Sequence, residues 1–332
     1  MKNKKIYYYP SSPRNGYGNP YSLNVKKALE EYFEVLDADN KPCAASSLGL
    51  LKQCFKADIY VLNWIEGVGF LKFPYLQFLL VLLSLLVIRL RGAKISWTFH
   101  NIHPHRGENF FSRFIGKYLF GHADLIVCHS KDARDYAMQF AKCDVLYICH
   151  PLSAINIDAD VEEYEPVDLL IWGDILPYKG VPELLESRAI RDSNLKITII
   201  GKCSDTKLSQ RILSSLTSNI IFENRRIDFQ ELHDRIRKSK YVIFPYIGDS
   251  VSSSGALMDT ISLGGIPLGP DVGAFKDLAK EGVCLTYMEY RDIVDLVTNN
   301  HRLEDKTRKE FIKNNSWSHF AEQLYNNSSL KI

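Results

Sequence analysis

Ser252-Ser253-Ser254-Gly255-Ala256-Leu257-Met258-Asp259, followed by Leu263-Gly264-Gly265-Ile266-Pro267 and Asp271-Val272-Gly273, is the stretch on which the reading of this chain turns. Small residues make a loop, a short helix bearing Asp259 follows, glycines stop it, and a strand and another turn come after. Serine hydroxyls and unpaired backbone N–H groups gather at a helix N-terminus, where the dipole favours an anion. On this reading Ser252, Ser253, Ser254 and Gly255 cradle a phosphate. Asp259, just beyond the first helical turn, is placed to reach the hydroxyls of a sugar. The competing reading is a solvated serine loop ahead of an ordinary helix of an α/β sheet.

Strands and helices alternate around that stretch. Residues 168–173, 196–201, 220–223 and 241–245 read as strands, with helices over 181–187 and 228–238. The first half repeats the pattern, with strands at 5–9, 33–36, 58–64, 94–100, 125–129 and 144–148. A helix runs through Val25, Ala28, Leu29 and Tyr32. Strands separated by helices predict parallel sheets, and the polar, acidic stretch 153–166 reads as an interdomain linker. The expected fold class is α/β, with two Rossmann-like domains facing each other across a cleft. The expected boundaries are 1–152 for an acceptor domain, 153–310 for a nucleotide domain and 311–332 for a terminal helix. A chain of 332 residues suits two domains, because single cores stop growing at about 250–300 residues. Trp317, Phe320, Leu324 and Tyr325 give the terminal helix one apolar face, which fits either a core helix or one packing back on the first domain.

A hydrophobic content of 46% and a charged content of 24% describe a soluble globular chain. The net charge of +2, with basic residues spread along the chain, gives no argument for nucleic acid. Cysteines at 43, 54, 128, 143, 149, 203 and 284 form no C-x-x-C pair. With no N-terminal signal peptide pattern, they read as reduced thiols of a cytoplasmic protein. Residues 73–88 (FPYLQFLLVLLSLLVI) are almost entirely apolar and are followed by Arg89, Arg91 and Lys94. The run is shorter than the roughly 20 residues of a transmembrane helix. The expectation is a fully buried helix between two strands. The alternatives are a helix in the membrane interface, with Arg89 and Arg91 at the headgroups, or a span.

Phe99-His100-Asn101-Ile102-His103-Pro104-His105 follows a strand directly. No nearby cysteine or H-E-x-x-H pattern supports zinc, so no metal is expected. His100 fits a base near neutral pH or a partner for a sugar hydroxyl, and His103 and His105 fit structural caps. In the first loop Gly16, Tyr17 and Gly18 let backbone approach a phosphate or sugar, but the third glycine of a dinucleotide fingerprint is missing. Trp64, in Asn63-Trp64-Ile65-Glu66, offers either a stacking face for a sugar or a core side chain.

Three of these motifs resemble segments of GT-B glycosyltransferases of the group 1 type. Asp259 and Gly264-Gly265-Ile266-Pro267 match the family's second acid and closing turn, and Ser253-Ser254-Gly255 is similar to the Asn-Ser-Gly loop of some bacterial members. The family's first acid is absent, with Val251 or Ser252 in its place. Gly173-Asp174-Ile175-Leu176-Pro177-Tyr178-Lys179-Gly180 resembles the Gly-Arg-Leu-x-x-x-Lys-Gly segment, so Lys179 matches the lysine that neutralises the donor diphosphate. Asp174 replaces the family's arginine, and Arg225 or Arg226 is the expected substitute. His100 matches the active-site histidine of the His-Asn-x-x-Pro-His turn. The resemblance implies a bacterial surface-polysaccharide glycosyltransferase with a nucleotide-sugar donor and a glycan or lipid-linked acceptor. It also implies no cofactor, with Gly16, Tyr17, Gly18, Trp64 and Asn101 on the acceptor side. The implied location is the cytoplasm, at the inner face of the plasma membrane. A non-catalytic nucleotide-sugar-binding relative and a sugar-nucleotide epimerase are the alternatives.

Overall fold

The computed structural model describes residues 4–10, 20–36, 47–102, 107, 109–153, 165–248, 251 and 254–331. The chain divides into two compact units, Met1–Pro151 with Ser316–Ile332, and Leu152–Asn315.

In the first unit the strands are β1 (Lys5–Tyr9), β2 (Glu34–Leu36), β3 (Ile59–Asn63), β4 (Lys94–Phe99), β5 (Leu125–Cys128) and β6 (Asp144–Tyr147). They form one sheet in the order β2-β1-β3-β4-β5-β6, every neighbouring pair parallel. Side chains alternate across it. Ile6 and Tyr8 bury in one core with Val25, Leu29 and Phe320, while Tyr7 and Tyr9 bury in another with Tyr60, Trp97 and Ile115. The helices of this unit are α1 (Pro20–Leu29), α2 (Ser47–Gln53), α3 (Pro74–Leu90), α4 (Phe110–His122) and α5 (Lys131–Met138).

The second unit repeats the plan. Strands β7 (Val167–Trp172), β8 (Ile197–Ile200), β9 (Ile220–Glu223), β10 (Ser239–Ile243), β11 (Pro267–Pro270) and β12 (Leu285–Tyr287) pair in the order β12-β11-β10-β7-β8-β9, all parallel. Helices α6 (Val181–Glu186), α7 (Arg188–Arg191), α8 (Thr206–Ser214), α9 (Phe229–Arg237), α10 (Gly255–Ser262), α11 (Gly273–Lys280), α12 (Tyr290–Thr298) and α13 (Asp305–Asn314) complete it. The three-residue strand β12 and helix α12 have no counterpart in the sequence reading, because a run as short as Leu285-Thr286-Tyr287 has no readable period.

Two expectations are corrected. The terminal segment is not one helix: α13 ends at Asn314, and a new helix, α14 (Trp317–Asn326), starts where the Ser316 hydroxyl accepts from the His319 N–H at 3.2 Å. Phe320, Ala321 and Leu324 of α14 bury in the first unit's core. Helix α3 is not fully buried either. Its inward face carries Gln77, Val81, Ser84, Leu85 and Ile88, while Leu76, Leu79, Leu83, Leu86 and Leu90 are exposed. Gln77 goes inward because its Oε1 accepts from the Ser47 N–H at 3.0 Å and its Nε2 donates to the Lys72 carbonyl at 3.3 Å. Ser84 returns its hydroxyl to the Leu80 carbonyl at 2.7 Å, which lets it be buried without an outside partner. At 17 residues α3 is short for a span, and no helix among the described residues is long and apolar enough to cross a membrane.

Candidate functional site

In the second unit, chemistry-bearing residues collect beyond the carboxyl ends of β7 and β10, the end at which open α/β sheets bind ligands. After β7 the chain passes Gly173 and a single 3₁₀ turn, Pro177–Lys179, then Gly180 at φ 64°. A Cβ on Gly180 would stand 2.0 Å from the Pro245 carbonyl oxygen, so this position requires glycine both for its backbone angle and for space. The Ile247 N–H donates to the Tyr178 carbonyl at 2.9 Å, tying the turn to the segment after β10.

That packing buries Lys179. Its Nζ lies over Gly173 and 5.9 Å from the ring centre of Tyr246. No hydrogen bond or ion pair among the described residues engages the ammonium. Burial draws its pKa down to about 8, against a smaller opposing pull from the Asp174 carboxylate. The Tyr246 hydroxyl in turn meets the Ser254 hydroxyl at 3.1 Å, and Ser254 caps α10 by accepting from the Leu257 N–H. Tyr246 therefore joins Lys179 to the N-terminus of α10. Gly255, the first residue of that helix, is exposed, and a Cβ there would meet nothing. Ser252 and Ser253 lie outside the described residues.

Asp259 lies in the body of α10, half-buried, with no described partner for its carboxyl. Burial raises its pKa to about 6. Arg225, expected as the substitute for the missing arginine, is already engaged by carboxylates. Its guanidinium is held by Glu223 at 2.6 Å and Glu231 at 2.5 Å, so its charge is already neutralised. Arg226 follows it beyond β9, the edge strand two places from β7.

In the first unit the carboxyl ends of β3, β4 and β5 meet a cage of rings. His100 is 3% exposed, its Nε2 lies 2.9 Å from Asn63 Oδ1, and its ring stacks on Trp64 at 4.4 Å and 14°. One face of the Trp64 indole is thus occupied by His100, and the edge of Tyr21 packs against Trp64 at 5.5 Å. The Tyr21 hydroxyl meets His129 Nε2 at 2.7 Å, and His129 Nδ1 is 2.8 Å from the Ile148 carbonyl. His150 lies 5.5 Å from His129, ring to ring, with Trp317 beyond it at 5.8 Å. Burial, reinforced by the neighbouring histidines, holds His100 well below the usual imidazole range. The same causes take His129 to about 3, and burial takes His150 to about 4. All three rings are neutral at physiological pH.

Sequence reasoning brought His100 and Trp64 to this site but missed Tyr21, His129, His150, Trp317 and, in the second unit, Tyr246. His129 follows a readable strand directly, just as His100 does, and that was the available signal. Asn101 is directed elsewhere, lining a cavity with Phe99 and Ile102. Gly16, Tyr17, Gly18, His103 and His105 lie outside the described residues. Among the described residues no three His, Cys, Asp or Glu side chains are grouped to hold a metal ion.

No protein-family model matches the chain. A curated relative, the "Uncharacterized glycosyltransferase MJ1069" of Methanocaldococcus jannaschii, is 23% identical over 235 residues, which is 62% of this chain and 58% of the relative. The chain thus spans less than two thirds of that protein's length. Among solved structures, sucrose-phosphate synthase (tll1590) from Thermosynechococcus elongatus superposes with a TM-score of 0.69 at 12% identity, covering 97% of both chains. Anabaena Alr3699/HepE in complex with UDP and glucose gives 0.63 at 13% identity, covering 97% of this chain and 95% of that one. A glycosyltransferase from Rickettsia africae gives 0.66 at 14% identity over the whole of both chains. The fold is GT-B. In this GT-B chain, Lys179 and the α10 N-terminus belong to the second of the two α/β units, and the ring cage to the first.

Proposed function

We propose that the chain is a glycosyltransferase of the group 1 type that moves a sugar from a nucleotide-sugar donor to a glycan or lipid-linked acceptor. The observation that carries this reading is Lys179, a buried ammonium with no described hydrogen bond or ion pair, joined through Tyr246 to the N-terminus of α10. A buried cation is costly unless an anion completes it, and a diphosphate supplies that anion. Lys179 and the free N–H groups of α10 then stabilise the diphosphate as it leaves with the electrons of the glycosidic bond. Ser252, Ser253, Ser254 and Gly255 complete the cradle, and Asp259 accepts hydrogen bonds from hydroxyls of the ribose or sugar.

His100 is the residue assigned to the reacting centre. Asn63 Oδ1 accepts from its Nε2–H, which leaves the Nδ1 lone pair as an acceptor for a hydroxyl proton. Trp64 fixes the ring by stacking, so its part on the acceptor side is to position His100. Gly16, Tyr17, Gly18 and Asn101 complete the acceptor side in this reading. The reaction calls for no cofactor and no metal, and it takes place in the cytoplasm at the inner face of the plasma membrane, in surface-polysaccharide synthesis. A relative named as a glycosyltransferase and a structural neighbour holding UDP and glucose support the donor class.

A thermal-shift screen against UDP-, GDP-, ADP- and CMP-sugars tests this. One nucleotide class is expected to stabilise the chain, by about 2.7 kcal/mol at a hundredfold excess over its Kd, with the effect lost in Lys179→Ala. No shift with any of them, and no sugar released from any, would sink the reading.

A further inference from the structure

Between α4, α5 and the end of β4 lies a cavity of about 880 Å³, within the roughly 300–1,000 Å³ of typical ligand pockets. Its walls are rings: Trp97, Phe99, Phe114, Phe120, Tyr136 and Phe140. The carboxyl that faces it, Glu66, accepts from the Trp97 indole N–H at 3.3 Å, and burial raises its pKa toward the neutral form. Arg113, Lys117, His122 and Lys142 also line it, so the aromatic wall carries a basic edge.

Two glycines keep this space open. Gly116 is interior to α4, where glycine weakens a helix, Gly121 lies in its last turn, and both line the cavity. Neither is demanded by packing, since a Cβ added at either meets no atom within 4 Å. Gly116 thus weakens the helix while leaving open space beside it at the cavity.

Outside the cavity is an apolar face with no described covering. Tyr75, Leu79, Leu86 and Leu90 of α3 are 74%, 62%, 53% and 78% exposed, and Phe110 of α4 is 63% exposed. Phe114 belongs to both places, because it packs on Phe78 of α3 at 5.4 Å and also lines the cavity. Helices α3 and α4 contain no Asp or Glu. Lys72, Arg113, Lys117 and Lys142 edge the face and the cavity, exposed and without a described ion pair. An apolar face ringed by unpaired cations is complementary to an anionic lipid bilayer.

We infer that the α3–α4 face seats on an anionic bilayer and that the cavity beneath α4 takes in a hydrocarbon chain of a lipid drawn from it. The chain enters past Phe114 and lies along the rings, while Arg113 and Lys117 hold the anionic headgroup at the mouth. Asn101, next in sequence to His100, lines the same cavity. The inference rests on the membrane-surface part of the proposed function, and the two fail separately in the following experiment.

Full-length protein is mixed with phosphatidylcholine vesicles, with and without phosphatidylglycerol, and then with vesicles whose phosphatidylglycerol is brominated in its acyl chains. Flotation with the anionic vesicles is expected, weakened about fivefold by each of Arg113→Glu and Lys117→Glu and lost in Leu79→Glu/Leu83→Glu. Brominated chains are expected to quench Trp97, with the quenching reduced in Trp97→Phe. It should also be abolished in Gly116→Leu/Gly121→Phe, which fills the cavity but leaves flotation intact. Absence of flotation by the wild-type chain overturns both the docking face and the cavity. Flotation with Trp97 unquenched, or with equal quenching in the filled variant, overturns the cavity alone.

Discussion

The Nζ of Lys179 stands 5.9 Å from the centre of the Tyr246 ring, whose hydroxyl meets Ser254 at the cap of α10. The aromatic face gives the ammonium a weak cation–π neighbour in place of a carboxylate. The charge is linked to the helix N-terminus through the tyrosine, with no described hydrogen bond or ion pair to neutralise it.

This relationship sets a pH dependence for nucleotide binding. The Lys179 pKa of about 8 in the free chain is raised when a diphosphate binds, so binding takes up a proton above that value. Affinity for the nucleotide is expected to be flat below pH 8 and to fall above it, approaching about tenfold per pH unit. Isothermal titration across this range checks it, and Lys179→Ala should show weaker binding with no such slope.

Asp259 is expected to trade stability against binding. Its pKa is raised from 3.8 to about 6 by burial, so the unfolded chain gives up this proton first and stability falls as pH rises between those values. At pH 7 the buried carboxylate costs on the order of 1–3 kcal/mol. Asp259→Asn should therefore raise Tm at pH 7 while weakening nucleotide-sugar binding. A variant that loses both stability and affinity would show the acid to be structural.

Acid should open the first unit through its histidines. His129 at about 3 and His150 at about 4 lie below the ordinary imidazole value, so the unfolded chain binds more protons between those values and about 6.5. The stability they carry is complete above pH 6.5 and is lost as pH falls toward 4, ~3 kcal/mol for each. Denaturant titrations followed by tryptophan fluorescence should show a steep loss over that window. His129→Gln should make the slope shallower.

Two glycine substitutions should act in opposite directions. Gly180→Ala places a methyl 2.0 Å from the Pro245 carbonyl at a left-handed φ, and a cost of about 1–3 kcal/mol is expected together with weaker nucleotide binding. Gly116→Ala meets nothing within 4 Å in the middle of α4 and should stabilise by about 0.5–1 kcal/mol. Denaturant midpoints compared at constant m check both signs.

Much of the arrangement around Lys179 and Ser254 was legible because its signals are local. A lysine before a glycine after a strand, and a serine cap ahead of a short helix, are set by backbone chemistry over a few residues. Tyr246 was not legible as the link between them, since a tyrosine after a strand gives no local sign of its partners. The ring cage was harder still: Tyr21, Trp64, His100, His129, His150 and Trp317 come from across the whole chain, and only the sheet order brings them together. Helix α3 misled for a different reason. A helix apolar on every side has no periodicity to reveal its buried face, and the polar Gln77 went inward because Ser47 and Lys72 offered it hydrogen bonds.

The order of most strands, the two α/β halves and the serine cap of α10 follow from the amino-acid order alone, because hydrophobic period and turn chemistry act between near neighbours. Which side of α3 faces outward, the space left under α4 by Gly116 and Gly121, and the neutral state of the three histidines depend on residues far apart in the chain. Burial and desolvation are properties of the packed fold, and they exist only once distant segments have met.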